Sequence, residues 1–150
     1  MWDPFAAFEH KKIPGGADIY AAHWPDRPGE RVKIIVHAGA LQDETEREGT
    51  AHLLEHLIRY GGKLNGAYKN HCFFSNRGGD MGMQTGMLAT EYNFFGPAEK
   101  KHLAKSLDLA GKFIFNFPIK DELIEIENGI IKGEYRKFNP WQYAVIKKNG

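Results

Sequence analysis

The sequence predicts an α+β fold in which helices pack on one face of an antiparallel-rich sheet. Two strand candidates, 17–23 and 31–38, come first, and a second pair, 81–88 and 91–95, follows after a helical segment. Two further helical segments complete the chain. Strands grouped with helices that cover one face are typical of the α+β class. The chain contains no internal repeat, low-complexity tract or clear linker, so we expect a single domain over residues 1–150.

The first half of the chain carries signals for a strand pair and a helix. Residues 31–38 are rich in Val and Ile, as strands commonly are, and residues 17–23 are predicted to precede them as a strand. Pro, Asp and Gly between positions 25 and 29 supply the chemistry of a turn. Residues 45–60 are predicted as a helix that Gly61-Gly62 ends.

The second half predicts a strand pair and two amphipathic helices. A short helix is predicted over 65–76, before the strand candidates 81–88 and 91–95. Pro97 is predicted to open a helix with one apolar stripe, formed by Leu103, Leu107, Ala110 and Ile114. The last predicted helix covers 120–138, because apolar residues recur there at helical spacing: Leu123, Ile126, Ile130 and Ile131.

Composition excludes several classes of function. The net charge is +1 and no run of Lys or Arg occurs, so neither nucleic acid nor a membrane surface is an expected partner. The 42% hydrophobic content is ordinary for a globular protein, and no apolar run approaches the length of a membrane span. Cys72 is the single cysteine, which excludes an internal disulfide and fits a reducing compartment. We therefore expect a cytoplasmic location.

The pattern H-x-x-E-H, formed by His52, Glu55 and His56, is the most informative motif. On a helix, residues four apart lie on one face, so both imidazoles can reach the same metal ion. Glu55 stays on that side and is available to accept a proton from water that the metal activates. The alternative is an amphipathic helix whose histidines lie along a polar edge.

Two imidazoles leave a catalytic zinc site one protein ligand short, and a carboxylate is the usual third ligand. Glu127 and Glu134 lie seven residues apart in the last predicted helix, so their side chains point the same way. One of them is therefore a candidate ligand. The alternative is that both belong to a solvated face, which is the usual place of helical glutamates.

Several motifs together resemble the N-terminal catalytic domain of the inverzincin peptidases, the family of pitrilysin, insulin-degrading enzyme and the mitochondrial processing peptidase. That family combines H-x-x-E-H with a paired E-x6-E about seventy residues downstream, and here 71 residues separate His56 from Glu127. The segment 78–85, GGDMGMQT, resembles the family's G-G-x-x-N-A-x-T, and ATEY at 89–92 resembles the T-x-Y that follows. The resemblance extends from about Lys12 to Pro140.

This resemblance implies a zinc endopeptidase that cleaves extended peptides. It implies His52, His56 and Glu134 as zinc ligands, Glu55 as the catalytic base, and Glu127 as a carboxylate of the catalytic site outside the ligand set. We expect the peptide substrate to add to an edge strand at 81–88 by backbone hydrogen bonding. The alternative is a non-catalytic binding or assembly subunit that holds zinc, and the intact Glu55 favours catalysis.

Two departures from the family pattern bear on this expectation. Gly82 stands where the family has an Asn near the scissile bond, and Met83 stands where it has an Ala. Family enzymes also carry a second homologous domain that closes a chamber around the substrate. A chain of 150 residues is thus a short form, a part of a longer protein or half of a complex. We expect a homo-oligomer or a second peptidase-like chain as partner.

Overall fold

The computed structural model describes residues 7–26, 28–65, 75–76, 78–97, 99–115 and 119–138. Five strands, a 3-10 turn and three α-helices follow one another in this part of the chain. In order these are β1 (Phe8–Lys12), β2 (Asp18–Ala22), β3 (Glu30–Val36), the 3-10 turn Ala40–Gln42, α1 (Thr50–Asn65), β4 (Asp80–Thr85), β5 (Thr90–Gly96), α2 (Lys100–Phe115) and α3 (Asp121–Phe138). None of the helices described is long and apolar enough to cross a membrane.

The strands are antiparallel, as the sequence predicts, but they form two sheets rather than one, and the predicted strands 17–23 and 31–38 do not pair with each other. β1 and β2 form a hairpin, and β3, β5 and β4 form a sheet of three strands in that order. β5 lies in the centre because it pairs with β3 over Val36–Glu30 and with β4 over Thr85–Asp80. Within the described residues, β4 is therefore an edge strand whose outer backbone groups are open to a further strand.

The core lies between one face of the three-stranded sheet and the helices. Burial alternates along β5, and Thr90, Tyr92 and Phe94 point toward the helices. Ile58 of α1 and Ala110 of α2 pack with Tyr92, Phe94 and Met83 in one cluster. The predicted arrangement of an antiparallel sheet with helices on one face thus agrees with this structure. α3 packs against α1 and forms an outer layer.

The boundaries of α1 differ from the prediction at both ends. The helix begins at Thr50, because Glu46 and Gly49 have φ values of 78° and 91°, which belong to a turn. Gly61-Gly62 does not end it, and the helix continues through Asn65. Glycine costs a helix only about 1 kcal/mol relative to alanine, so tertiary packing can hold a helix across such a pair.

Other predicted elements shift or move outside the described residues. β1 was not predicted, and the strand candidate 81–88 ends at Thr85, where Gly86 N donates to the carbonyl of Ala89 to form a turn. The helix predicted over 65–76 falls almost entirely outside the residues that the structure describes. The helix predicted from Pro97 begins at Lys100.

The predicted apolar stripe of α2 is buried in its second half only. Ala110 belongs to the core cluster and Ile114 packs against it. Leu103 and Leu107 are 41% and 53% exposed, and His102 and Ser106 are buried instead. Glu30 at the start of β3 decides this orientation, because its carboxylate accepts hydrogen bonds from His102 Nδ1 (2.6 Å) and Ser106 Oγ (3.0 Å). The side chain of Glu30 is only 11% exposed, so a carboxylate that lost these donors would remain largely desolvated without partners, at a cost in free energy.

Candidate metal centre

The loop before α1 fixes the start of the motif helix. The carboxylate of Asp43 accepts hydrogen bonds from the backbone N–H of Gly49 (2.7 Å) and of Ala51 (2.9 Å). Two N–H groups at the start of the helix, which have no partner within it, are thereby satisfied by an anion. This cap sets where the helix begins and therefore which way His52 and His56 point.

His52, His56 and Glu134 converge on one point between α1 and α3. Oε2 of Glu134 lies 3.6 Å from Nε2 of His52 and 3.5 Å from Nε2 of His56. The candidate ligand atoms of all three residues lie within 4.8 Å of one another, and no second group of this kind occurs in the part of the chain that the structure describes. Tetrahedral zinc with bonds of about 2.0 Å separates its ligand atoms by about 3.3 Å, so this set suits zinc in both type and spacing.

Glu127 is hydrogen-bonded to Nδ1 of His56, the ring nitrogen that does not face Glu134. Its Oε2 lies 3.0 Å from Nδ1 of His56, and the two side chains are only 4% and 6% exposed. A carboxylate at this distance accepts the Nδ1–H and leaves Nε2 as the lone-pair nitrogen toward Glu134. The alternative of a solvated glutamate face is therefore wrong for Glu127. Glu134 is 39% exposed on its side chain, as suits a ligand at an accessible site.

Glu55 is buried next to His56 in α1 and does not belong to the group of candidate ligands. It is 4% exposed, and its Oε2 accepts a hydrogen bond of 3.0 Å from Oγ1 of Thr85 at the end of β4. Burial raises the pKa of Tyr92, and the nearby negative charge of Glu55 raises it further. The carboxylate thus lies between α1 and the end of the sheet, held in one orientation by the strand.

Tyr135 is the residue of this site that sequence reasoning missed. Its ring meets the ring of His52 edge-on, with centroids 5.9 Å apart and an interplanar angle of 85°. Burial raises the pKa of Tyr135, and the charges of Asp43 and Glu134 add to the effect. Tyr135 also lines an open cavity of about 350 Å³ between the start of α1 and α3. Its position next to Glu134 in the sequence was the signal that could have identified it.

The two departures from the family pattern lie on different faces of β4. Met83 is 9% exposed and belongs to the core cluster under α1. Gly82 pairs with Asn93 on the opposite face, where a Cβ added to the glycine would meet no atom closer than 4.0 Å. A larger residue at position 82 would therefore stand on the open face of the sheet.

Comparisons with known proteins agree on one family and one fold. A model of the insulinase family, peptidase family M16, matches residues 21–149. The beta subunit of the mitochondrial-processing peptidase of Saccharomyces cerevisiae is 25% identical over 135 residues, which are 90% of this chain and 29% of that protein. A zinc protease PQQL-like protein of Arabidopsis thaliana is 26% identical over 144 residues, which are 89% of this chain and 14% of that protein.

A solved structure shares the fold. The crystal structure of a protease from Helicobacter pylori superposes with a TM-score of 0.70 at 20% identity, over 86% of this chain and 30% of that one. The chain thus spans less than a third of the length of each of these three proteins.

Proposed function

The chain belongs to the insulinase family, peptidase family M16, and on this premise we propose that it is a zinc-dependent endopeptidase domain that hydrolyses extended peptides. One observation carries the proposal. Three ligand-type side chains from two helices converge, while a fourth carboxylate, Glu55, is buried beside them and outside the set. A purely structural zinc site has no use for such a base and normally closes its fourth position with a protein ligand.

His52, His56 and Glu134 would hold the zinc ion. Bound there, zinc supplies a Lewis acid that polarises the scissile carbonyl and makes water a better nucleophile. Glu127 serves the site indirectly, because its hydrogen bond to Nδ1 of His56 fixes the tautomer that offers Nε2. Two imidazoles and one carboxylate are a ligand set found in zinc peptidases, which leaves one position open.

Glu55 would move the proton. Its carboxylate accepts a proton from the attacking water and then donates it to the amine that leaves. The hydrogen bond from Thr85 occupies one side of Oε2 and keeps the carboxylate at the end of β4. A base held by a strand needs no reorganisation when the reaction begins, which favours the transition state.

The substrate would bind along β4. This strand is an edge within the described sheet, and its last residue, Thr85, contacts Glu55. An extended peptide that pairs with such an edge gains backbone hydrogen bonds regardless of its side chains. The peptide bond opposite the end of β4 then lies next to the base. This geometry supports a peptide rather than a compact protein as substrate.

A second peptidase-like chain or a second copy would complete the enzyme. One relative with which this chain is aligned is, by its name, the beta subunit of a peptidase, and this chain spans 29% of it. We propose that the zinc centre, with Glu134 39% exposed on its side chain, needs a second wall to exclude water. A site open to water gains less from its electrostatic groups than a closed one.

A non-catalytic subunit that retains zinc is the second candidate. Gly82 favours it, because this position lacks the polar side chain that the family pattern places near the scissile bond. The buried Glu55 and its hydrogen bond from Thr85 favour catalysis. The two candidates predict the same zinc content and differ only in peptide cleavage.

Four proteins test the proposal. The wild type and Glu55→Gln are expected to bind one zinc ion each, but only the wild type, with its partner or as an oligomer, cleaves unstructured peptides. His52→Ala and Glu134→Gln are expected to bind zinc more weakly because each removes a ligand. Elemental analysis and chelator-sensitive peptide cleavage are the measurements. Equal zinc in the wild type and His52→Ala would refute the site, and loss of zinc in Glu55→Gln alone would reverse the roles of ligand and base.

A further inference from the structure

The two histidines of the metal centre are held by different kinds of contact. His56 is fixed by a buried carboxylate, Glu127, at Nδ1. His52 is 25% exposed on its side chain, and among the described residues no group is hydrogen-bonded to its Nδ1. A metal-binding histidine usually has such a partner, which fixes its ring. Some other contact must orient His52.

Aromatic packing supplies that contact. The ring of His52 is perpendicular to the ring of His56, with centroids 4.7 Å apart, and perpendicular to the ring of Tyr135, with centroids 5.9 Å apart. Both distances fall within the range of favourable edge-to-face pairs. His56 belongs to the same helix and is itself a candidate ligand, so Tyr135 supplies the ring contact that comes from another element.

Tyr135 is placed so that its ring packs beside the imidazole of His52. It follows Glu134 directly, so α3 provides both the third candidate ligand and the ring beside the first. Its hydroxyl lies near Gly49, where an added Cβ would stand 3.7 Å from the phenol oxygen. The side chain therefore extends from α3 to the loop ahead of α1, and the ring passes beside His52.

We propose that Tyr135 is a positioning residue that sets the orientation of the His52 imidazole through its ring, so that Nε2 faces Glu134. This inference rests on the proposed zinc site. The inference goes beyond that site because it assigns the support of the His52 imidazole to an aromatic ring rather than to a hydrogen-bond acceptor. The consequence is that metal affinity and coordination geometry depend on the ring of Tyr135 and not on its hydroxyl.

Three substitutions separate the ring from the hydroxyl and from general stability. Tyr135→Phe keeps the ring, and Tyr135→Leu removes it while favouring a helix. Tyr20→Leu is the matched control, because Tyr20 stacks on His10 in the β1–β2 hairpin with centroids 4.5 Å apart. It loses a similar contact between a tyrosine and a histidine outside the metal centre. Tyr135→Met is a further variant without a ring for the case that the leucine variant does not fold.

Zinc affinity is measured by competition with a chelator, and the geometry by the visible absorption of the Co²⁺-loaded protein. Tyr135→Leu is expected to bind zinc about 3- to 10-fold more weakly, as fits the loss of one aromatic pair, and to change the Co²⁺ spectrum. Tyr135→Phe and Tyr20→Leu are expected to match the wild type in both. Melting temperatures of the zinc-free variants show any purely structural effect separately.

The outcomes distinguish this inference from the proposed function. A wild type that binds no stoichiometric zinc would overturn the site itself. A wild type that binds zinc, beside a Tyr135→Leu variant with unchanged affinity and spectrum, would overturn only the role of Tyr135. Equal losses in Tyr135→Phe and Tyr135→Leu would assign the support to the hydroxyl and would also overturn the inference.

Discussion

Replacing Glu127 by Leu is the most informative single perturbation of the metal centre. The carboxylate lies 3.0 Å from Nδ1 of His56, and both side chains are almost fully buried. Removal takes away the carboxylate that accepts the Nδ1–H of His56, and the loss of such an acceptor for a buried donor costs about 1–3 kcal/mol. It also frees the ring to rotate or to change tautomer. Such support of a ligand is typically worth about 10- to 100-fold in metal affinity.

The effect on thermal stability follows from the same numbers. A 10- to 100-fold loss of zinc affinity removes about 1.4–2.7 kcal/mol of stabilisation by saturating zinc. For a chain of 150 residues, each kcal/mol corresponds to roughly 2–4 °C, so the rise in Tm on adding zinc is expected to shrink by about 3–11 °C. Glu127→Gln keeps an acceptor oxygen and is expected to lose less than Glu127→Leu.

The assay compares zinc affinity and zinc-dependent Tm in matched variants. Glu125→Leu is the control. Glu125 lies exposed on the same helix, and its substitution by Leu makes the same change in charge and volume as Glu127→Leu. Chelator competition gives the affinity, and thermal unfolding with and without zinc gives the linked stability. The role assigned to Glu127 would be refuted if the zinc affinity of Glu127→Leu lay within about twofold of that of Glu125→Leu, because the expected loss is at least tenfold, or about 1.4 kcal/mol.

Four further predictions follow from the described contacts. Thr85→Val removes the donor to Glu55 and is expected to lower peptide cleavage by at least about 10-fold with zinc content unchanged, since a hydrogen bond to a charged group is worth about 1.5–3 kcal/mol. Gly82→Asn has room near Asn93 and is expected to leave Tm unchanged or higher while raising cleavage; a fall in Tm would contradict the open position. Burial raises the pKa of Tyr92, and the charge of Glu55 raises it further. The neutral phenol therefore contributes to the stability of the folded state below about pH 10, and this contribution is lost as the pH rises through the folded-state pKa. Alkaline unfolding of the wild type is thus expected to be steeper than that of Tyr92→Phe. Finally, light scattering alongside a peptide assay is expected to show association or weak activity, and a strictly monomeric, brisk peptidase would contradict the need for a second wall.

The sequence located the site because the spacing of side chains along one helix is fixed by helix geometry. His52 and His56 are four residues apart, and Glu127 and Glu134 are seven apart, so each pair shares a face whatever surrounds it. The fold class followed for a similar reason, because strand and helix periodicities are local properties. The motifs also predicted the peptidase family, which the match over residues 21–149 confirms.

The local pattern of apolar residues did not predict which helix face is buried where polar side chains are buried as well. The leucines of α2 predicted one buried face, but Glu30 turned another face inward through His102 and Ser106. The apolar positions of α3 are divided in the same way, since Leu123 and Ile131 are buried on the side of Glu127, whereas Ile126 and Ile130 are 57% and 43% exposed. In both helices, a carboxylate removed from water is paired with a histidine, and a pattern of apolar residues does not predict such a pairing.

The amino-acid sequence by itself determined which residues share a helix face, which of them carry side chains of the metal-binding type and which family the motifs fit. Only the tertiary structure decided that α1 and α3 face each other, which brings Glu134 to 3.5 Å from His56 and closes Glu127 onto the opposite nitrogen. It also placed Thr85 against Glu55 and Tyr135 against His52. The physical reason is distance along the chain: helix geometry fixes neighbours within a few turns, whereas contacts between residues 30 or more positions apart depend on how the whole core packs.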